Sequence, residues 1–277
     1  MMGYKLIVSD LDETLLNDDH LVGQRNHDAI LKARKEHGIK FVPATGRGFL
    51  QIQPELKELG LNDLEGEYVI SFNGGALSEN KNNRVIDFKG LPFAKMKEIF
   101  EAGLNFNVCQ HVYTADALYV FNVGDLEKKR LTDLKLEVVY CQGNNVDFLK
   151  DTPIAKILYQ SEDVSYLMSL EEKLKSITNK CTAVSYSSNR YMEFNALGVD
   201  KGQGLIDLAN KLGIDIKDTI AVGDNYNDIS MLKVAGLAVA ANNAVDDVKA
   251  ICDYVTEANN NEGVVAELIE RFIDNEI

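Results

Sequence analysis

Apolar residues cluster in short unbroken runs at both ends of the chain, and between those runs they recur at every third or fourth position. The first pattern suits strands buried on both faces, and the second suits helices with one buried stripe. "YKLIVSDL" is followed by "RNHDAILKARKEHG", in which Ala29, Ile30, Ala33 and Arg34 set a helical period and Gly38 suits a C-terminal cap. Then come a strand in "IKFVPAT", a helix in "FLQIQPELKELG" weakened by Pro54, and a strand in "YVISFNGG". The C-terminal stretch repeats the alternation, with helices in "KGQGLIDLANKLG", "NDISMLKVAG", "DDVKAICD" and "EGVVAELIERFIDNEI" and strands in "TIAVGD", "LAVAA" and "YVT". Short strands joined by helices imply a parallel sheet with crossover connections, so both ends read as halves of one α/β, Rossmann-like doubly wound core.

The middle has a different rhythm. From about residue 84 the strands lengthen and follow one another more closely: "RVIDFKG", "FNVCQHVY", "ALYVFNV", "LEVVYCQ", "IAKILYQ", "TAVSYS" and "RYMEFNA". Helical patterns in "FAKMKEIFEAG" and "DVSYLMSLEEKLKSI" lie among them. This predicts an inserted α+β domain over 84–190, with the core formed by 1–83 and 191–277. The strand aromatics Tyr113, Tyr119 and Phe121 are expected to pack in its core.

A chain of 277 residues with 45% hydrophobic content is large enough for two such cores. Its formal charge of −14 works against nonspecific binding to nucleic acid, whose affinity comes mainly from cationic side chains. A small phosphorylated ligand remains compatible with that charge, since it needs only a local positive spot. Cys109, Cys141, Cys181 and Cys252 are widely spaced, without a zinc-ligand pattern, and read as reduced, mostly buried thiols. "MMGYKLIVSD" lacks the features of a secretory signal and no apolar run approaches membrane-spanning length, so the expectation is a cytoplasmic protein without a membrane partner.

Four polar stretches fall at strand ends or helix starts, where an open parallel sheet forms its crevice. The first is "DLDET", in which strand alternation would turn Asp10 and Asp12 to the same side. Two carboxylates so placed repel one another unless a cation or a proton lies between them, although an Asp-rich surface turn has the same sequence. The second is "ATGR", where Thr45, the amides around Gly46 and the Arg47 cation suit a phosphate oxygen, or an ordinary helix-entry turn. The third is Lys201 in "GVDKGQGL", a cation at a helix start, where it opposes the helix dipole; it either serves clustered carboxylates or is a solvated surface lysine. In the fourth, "VGDNYND", Asp224 ends a strand and Asn227 with Asp228 opens the next helix; carboxylate oxygens so placed suit magnesium, or the stretch is an Asx-type turn with a helix cap. The argument for chemistry is that all four recur at one edge of one predicted sheet.

The set "DLDET", "ATGR", "DKG" and "GDNYND", with a large insertion between the second and third, resembles the haloacid dehalogenase superfamily, and most closely its Cof-type branch, over essentially the whole chain. That resemblance implies a HAD-like core with an α+β cap that closes over the pocket and reads the leaving group. It implies a magnesium-dependent phosphatase acting on a small phosphorylated metabolite, with a sugar phosphate as first choice. Carried over, it makes Asp10 the nucleophile that forms an aspartyl-phosphate and Asp12 the acid and base. It assigns Mg2+ to Asp10, the Asp12 main chain, Asp224 and Asp228, and the phosphoryl oxygens to Thr45, Lys201 and Asn227. Gly46, Arg47, Asn73 and Gly74 would meet the substrate from the core side. Glu13 stands where the family most often has glycine, while Thr14 matches. A phosphomutase or phosphotransferase on the same core, or a noncatalytic phosphometabolite sensor, are the competing readings; the expected assembly is a monomer or homodimer.

Overall fold

The computed structural model of the protein describes residues 3–133, 138–178 and 182–274. In chain order the strands are β1 (Leu6–Ser9), β2 (Lys40–Pro43), β3 (Tyr68–Ser71), β4 (Ala76–Glu79), β5 (Arg84–Phe88), β6 (Cys109–Thr114), β7 (Leu118–Phe121), β8 (Val138–Cys141), β9 (Ile154–Gln160), β10 (Thr182–Ser187), β11 (Tyr191–Ala196), β12 (Thr219–Gly223), β13 (Leu237–Ala240) and β14 (Tyr254–Val255). The helices are α1 (Gln24–His37), α2 (Gln53–Glu58), α3 (Phe93–Gly103), α4 (Asp125–Asp133), α5 (Val164–Thr178), α6 (Lys201–Leu212), α7 (Ile229–Val234), α8 (Asp246–Lys249) and α9 (Val264–Phe272).

Residues 1–87 and 200–277 form one unit and residues 88–199 a second. In the first, an all-parallel sheet runs in the order β14-β13-β12-β1-β2. Leu6 and Val8 of β1 join Leu205, Leu208, Met231, Leu232 and Val248 of α6, α7 and α8 in one core. Ile7 lies between them in sequence and is equally buried, as alternation on a sheet covered on both faces requires. On α1, Asn26 accepts the backbone N–H of Ala266 on α9, which ties those two helices. Gly38 ends α1 in the left-handed conformation expected of it, at φ 67°. The stretch weakened by Pro54 divides into a 3-10 turn, Phe49–Ile52, and the short α2, with the proline in the helix's first turn, where its missing N–H costs nothing. β3 pairs antiparallel with β4 in a three-stranded sheet ordered β3-β4-β5, and Ala44, just past β2, bridges Ile70 in parallel.

The second unit is a six-stranded mixed sheet, ordered β10-β11-β9-β6-β7-β8, with only β7 and β8 parallel among its pairs. Met96, Ile99 and Phe100 of α3 and Leu167, Leu170 and Leu174 of α5 pack with Val112, Ile157, Tyr159, Met192 and Phe194 of the strands. Phe121 belongs to this core and Tyr119 packs against it. Tyr113, one residue beyond Val112, projects to the opposite face, where the Lys156 ammonium lies 4.8 Å from its ring centroid. Residues 191–199 fall in this unit, not in the core where a division at 190 would place them. The cause is β11, which is hydrogen-bonded between β9 and β10 and cannot be detached from their sheet.

Cys109, Cys141 and Cys252 are unbridged; Cys109 is buried and the other two are half-buried, while Cys181 lies outside the described residues. Among the described residues no helix is long and apolar enough to cross a membrane.

Candidate active site

From β1 the parallel sheet grows one way to β2 and the other way, through β12, to β13 and β14, so the direction of winding reverses between β1 and β12. Such a reversal opens a crevice at the carboxyl ends of the strands. β12, β1 and β2 end level with one another, Ser9 pairing with Val222 on one side and Pro43 on the other. Asp10, Asp224 and the turn around Thr45 therefore emerge at one edge.

Asp10 follows β1 directly, and its N–H donates to the Val222 carbonyl at 3.0 Å, extending the ladder by one residue. Beyond it the extended backbone stops. Residues Leu11–Leu15 wind into a tight turn in which Glu13 takes the left-handed conformation, φ 61°. The alternation that would send Asp10 and Asp12 to the same side does not survive that turn. The half-buried Asp12 carboxylate is gripped instead by Arg47, whose Nε donates to one oxygen at 3.0 Å and whose Nη2 donates to the other. The partner cluster of Asp10 is different: one oxygen each from Asp10, Asp224 and Asp228 lie within 4.8 Å of one another, and all three residues are buried.

Lys201 opens α6 and is fully buried, so it is no surface lysine. Its Nζ lies 2.5 Å from Asp10 Oδ1 and 2.6 Å from Asp228 Oδ1. The other Asp228 oxygen accepts the backbone N–H groups of Asp224 and Asn225, each at 3.0 Å. Thr14 donates its hydroxyl to Asp224 at 2.7 Å. Three carboxylates against one ammonium leave two negative charges, which is the charge of one divalent cation, and the donors are all hard oxygen atoms. This donor set fits magnesium.

The titration behaviour of the cluster reflects the same imbalance. Burial first, then the Asp228 charge, raises the Asp10 pKa from 3.8 to about 7 even against the pull of Lys201. Asp224 is raised well above the usual range by burial and by Asp10. Burial would lower the Lys201 pKa, but Asp10 and Asp228 outweigh it and raise it. Burial also acts to raise Asp12, yet the Arg47 guanidinium overcomes this and holds it below the usual carboxylate range.

The remaining expected residues divide. Thr45 is fully buried, its hydroxyl accepts the Arg47 N–H at 3.0 Å, and its carbonyl accepts the Asn73 N–H at 2.9 Å. Asn227 donates its side-chain amide to Asn73 Oδ1 at 3.3 Å, so Thr45, Asn73 and Asn227 form one connected group. Gly46 is half-buried between Thr45 and Arg47. Gly74 owes its lack of a side chain to packing: at φ 93°, a Cβ there would lie 2.2 Å from the Asp200 carbonyl oxygen at the start of α6. Arg47 faces carboxylates, Glu55 as well as Asp12. Sequence reasoning gave no part to Glu55, which sits a helical segment away with no periodic relation to Arg47. Thr14 was legible inside "DLDET" but carried no role.

Gly223 marks how closely the site is packed. A Cβ at this position would meet Asp228 Cγ at 2.5 Å, and Asp228 is held in place by Lys201 and two backbone amides. Gly223→Ala is therefore expected to cost about 1–3 kcal/mol through overpacking and to weaken divalent-cation binding. Thermal unfolding and a Mg2+ titration check this; an unchanged melting temperature together with unchanged affinity would contradict it.

A model of haloacid dehalogenase-like hydrolases matches residues 7–268. The chain belongs to this family. It is 29% identical over 287 residues to phosphatase YwpJ of Bacillus subtilis, covering 94% of this chain and 97% of that one. It is 30% identical over 262 residues to the 5-amino-6-(5-phospho-D-ribitylamino)uracil phosphatase YcsE of the same organism, covering 94% and 92%. A crystal structure of a haloacid dehalogenase-like hydrolase from Bacteroides thetaiotaomicron superposes with a TM-score of 0.82 at 32% identity, over 97% of this chain and 99% of the other. The HAD-like core with an additional α+β unit and the Cof-type resemblance both hold, and the chain is a phosphoric monoester hydrolase.

Proposed function

We propose that this phosphatase is magnesium-dependent and hydrolyses a small sugar or polyol phosphate through an aspartyl-phosphate on Asp10. The observation that carries the reading is the buried group of Asp10, Asp224, Asp228 and Lys201, two negative charges in excess, at the switch point of the sheet. Asp10, Asp224, Asp228 and the Asp12 main chain would hold the magnesium ion, whose positive charge offsets the repulsion between a carboxylate nucleophile and a phosphate dianion.

An Asp10 oxygen attacks phosphorus while the bond to the substrate alcohol breaks. Asp12 gives the departing oxygen its proton, and in the second half-reaction takes a proton from the water that attacks the acyl phosphate. Lys201, the Thr45 hydroxyl and the Asn227 amide hold the phosphoryl oxygens as charge builds on them. Asn73 orients Asn227 through their hydrogen bond, and the backbone around Gly46 and Gly74 shapes the same wall. Arg47, expected to meet the substrate from the core side, holds both oxygens of Asp12 and so would also position the acid. For the substrate class, support comes from YcsE, whose name specifies a phosphorylated ribityl chain, a polyol.

Phosphate release from a panel of sugar phosphates and nucleotides, with Mg2+ and with EDTA, tests this. Turnover of sugar phosphates is expected to fall at least about a hundredfold on chelation and to return with Mg2+. Tight binding without hydrolysis of any compound favours a sensor, and transfer to a sugar without free phosphate favours a mutase. Either would overturn the reading.

A further inference from the structure

We infer that Glu55 is a positioning residue for Asp12, acting through Arg47: it offers the guanidinium a second carboxylate, so that Asp12 can be released toward the leaving oxygen. The inference rests on the phosphatase reading above. Arg47 is 9% exposed and Glu55 8% exposed, and Arg47 Nη1 donates to Glu55 Oε1 at 2.9 Å while Nε and Nη2 hold both oxygens of Asp12. Both oxygens of Asp12 are thus engaged by one guanidinium. A general acid must leave the guanidinium, which favours its ionised form, take up a proton on one oxygen, and bring that oxygen to the alcohol oxygen, handing the proton over as the phosphorus–oxygen bond breaks.

Neutralising Arg47 does not require Glu55, because Asp12 already supplies one carboxylate. Burying a second beside the same cation is unfavourable unless it does something more. The second observation is its other oxygen: among the described residues, Glu55 Oε2 is buried without a hydrogen-bond partner. A rotation of the guanidinium that gave up Asp12 would bring a freed N–H to that oxygen, trading one forked pair for another. The net cost of release is thereby lowered, and Asp12 moves only when the substrate is present to receive it.

Removing the second carboxylate should leave Arg47 bound to Asp12 alone and make release harder. The loss appears only where the leaving group needs a proton. Kinetics of the full chain are therefore compared on p-nitrophenyl phosphate, whose phenolate leaves with little help, and on the sugar phosphate of the panel that the wild type hydrolyses fastest. Glu55→Gln is expected to lower kcat on the sugar phosphate about tenfold, with KM little changed, and to lower kcat on the aryl ester no more than about twofold. Glu55→Asp keeps the charge and should recover part of the difference; it carries the test if the glutamine variant does not fold. Equal slowing on both esters, or no slowing on either, would overturn the inference while leaving the phosphatase reading intact. A wild type that hydrolyses neither ester removes both.

Discussion

Asp10→Asn is expected to lower phosphate release by at least about a thousandfold while leaving the fold in place. Asparagine has nearly the volume of aspartate, so packing around β1 is kept, but the amide oxygen is no nucleophile at phosphorus. The same substitution should change stability in the opposite sense from most core changes. In the folded, metal-free protein the Asp10 pKa rises from 3.8 to about 7, chiefly through burial and Asp228. A folded-state pKa above the unfolded value means that the associated stability is present below about pH 4 and is lost as pH rises toward about 7. Without metal, then, the wild type carries a penalty at pH 8 that the asparagine variant lacks. Thermal unfolding at pH 8 in EDTA should show the variant at least as stable, and Mg2+ should reverse the order by favouring the wild type. Wild-type turnover in the variant would refute the nucleophile; a large loss of metal-free stability would refute the electrostatic account.

Lys201→Met should be damaging to both structure and activity. The ammonium contacts Asp10 and Asp228 from a fully buried position, and Asp224 is close enough to join their cluster. Taking away the cation leaves buried carboxylates facing one another without a counter-charge, a change that costs about 3–5 kcal/mol. For a domain of this size that corresponds to a melting temperature lower by roughly 6–20 °C. Acid should recover part of the loss, because a proton on Asp10 or Asp224 removes the repulsion that the lysine no longer offsets. Unfolding curves at pH 5 and pH 8 measure this. Equal melting temperatures for wild type and variant at pH 8 would show that Lys201 does not neutralise the cluster.

Much of this architecture was written in local patterns. Short apolar runs became β1, β3 and β13, the period of Ala29, Ile30 and Ala33 became α1, and a lysine opposing the dipole of α6 proved to be buried among carboxylates. Each of these follows from a rule that acts over one or two turns of chain. What the sequence concealed depends on contacts between distant segments. The direction of the Asp12 side chain is decided by a left-handed residue at Glu13 and by a guanidinium 35 positions further on. Glu55 becomes visible only when α2 is set against the turn after β2. The second unit extends past residue 190 because β11 pairs on both edges, and pairing of that kind has no one-dimensional signature.

The central claim is that the Asp10 carboxylate forms a covalent bond to phosphorus. Rapid quenching during turnover of a sugar phosphate, reduction with borohydride and peptide mass spectrometry read this out directly, since an acyl phosphate of aspartate is reduced to homoserine. Homoserine at position 10, dependent on substrate and Mg2+, is the predicted result. Active enzyme that yields no reduced residue under any quench time, or yields it at another position, would contradict the account.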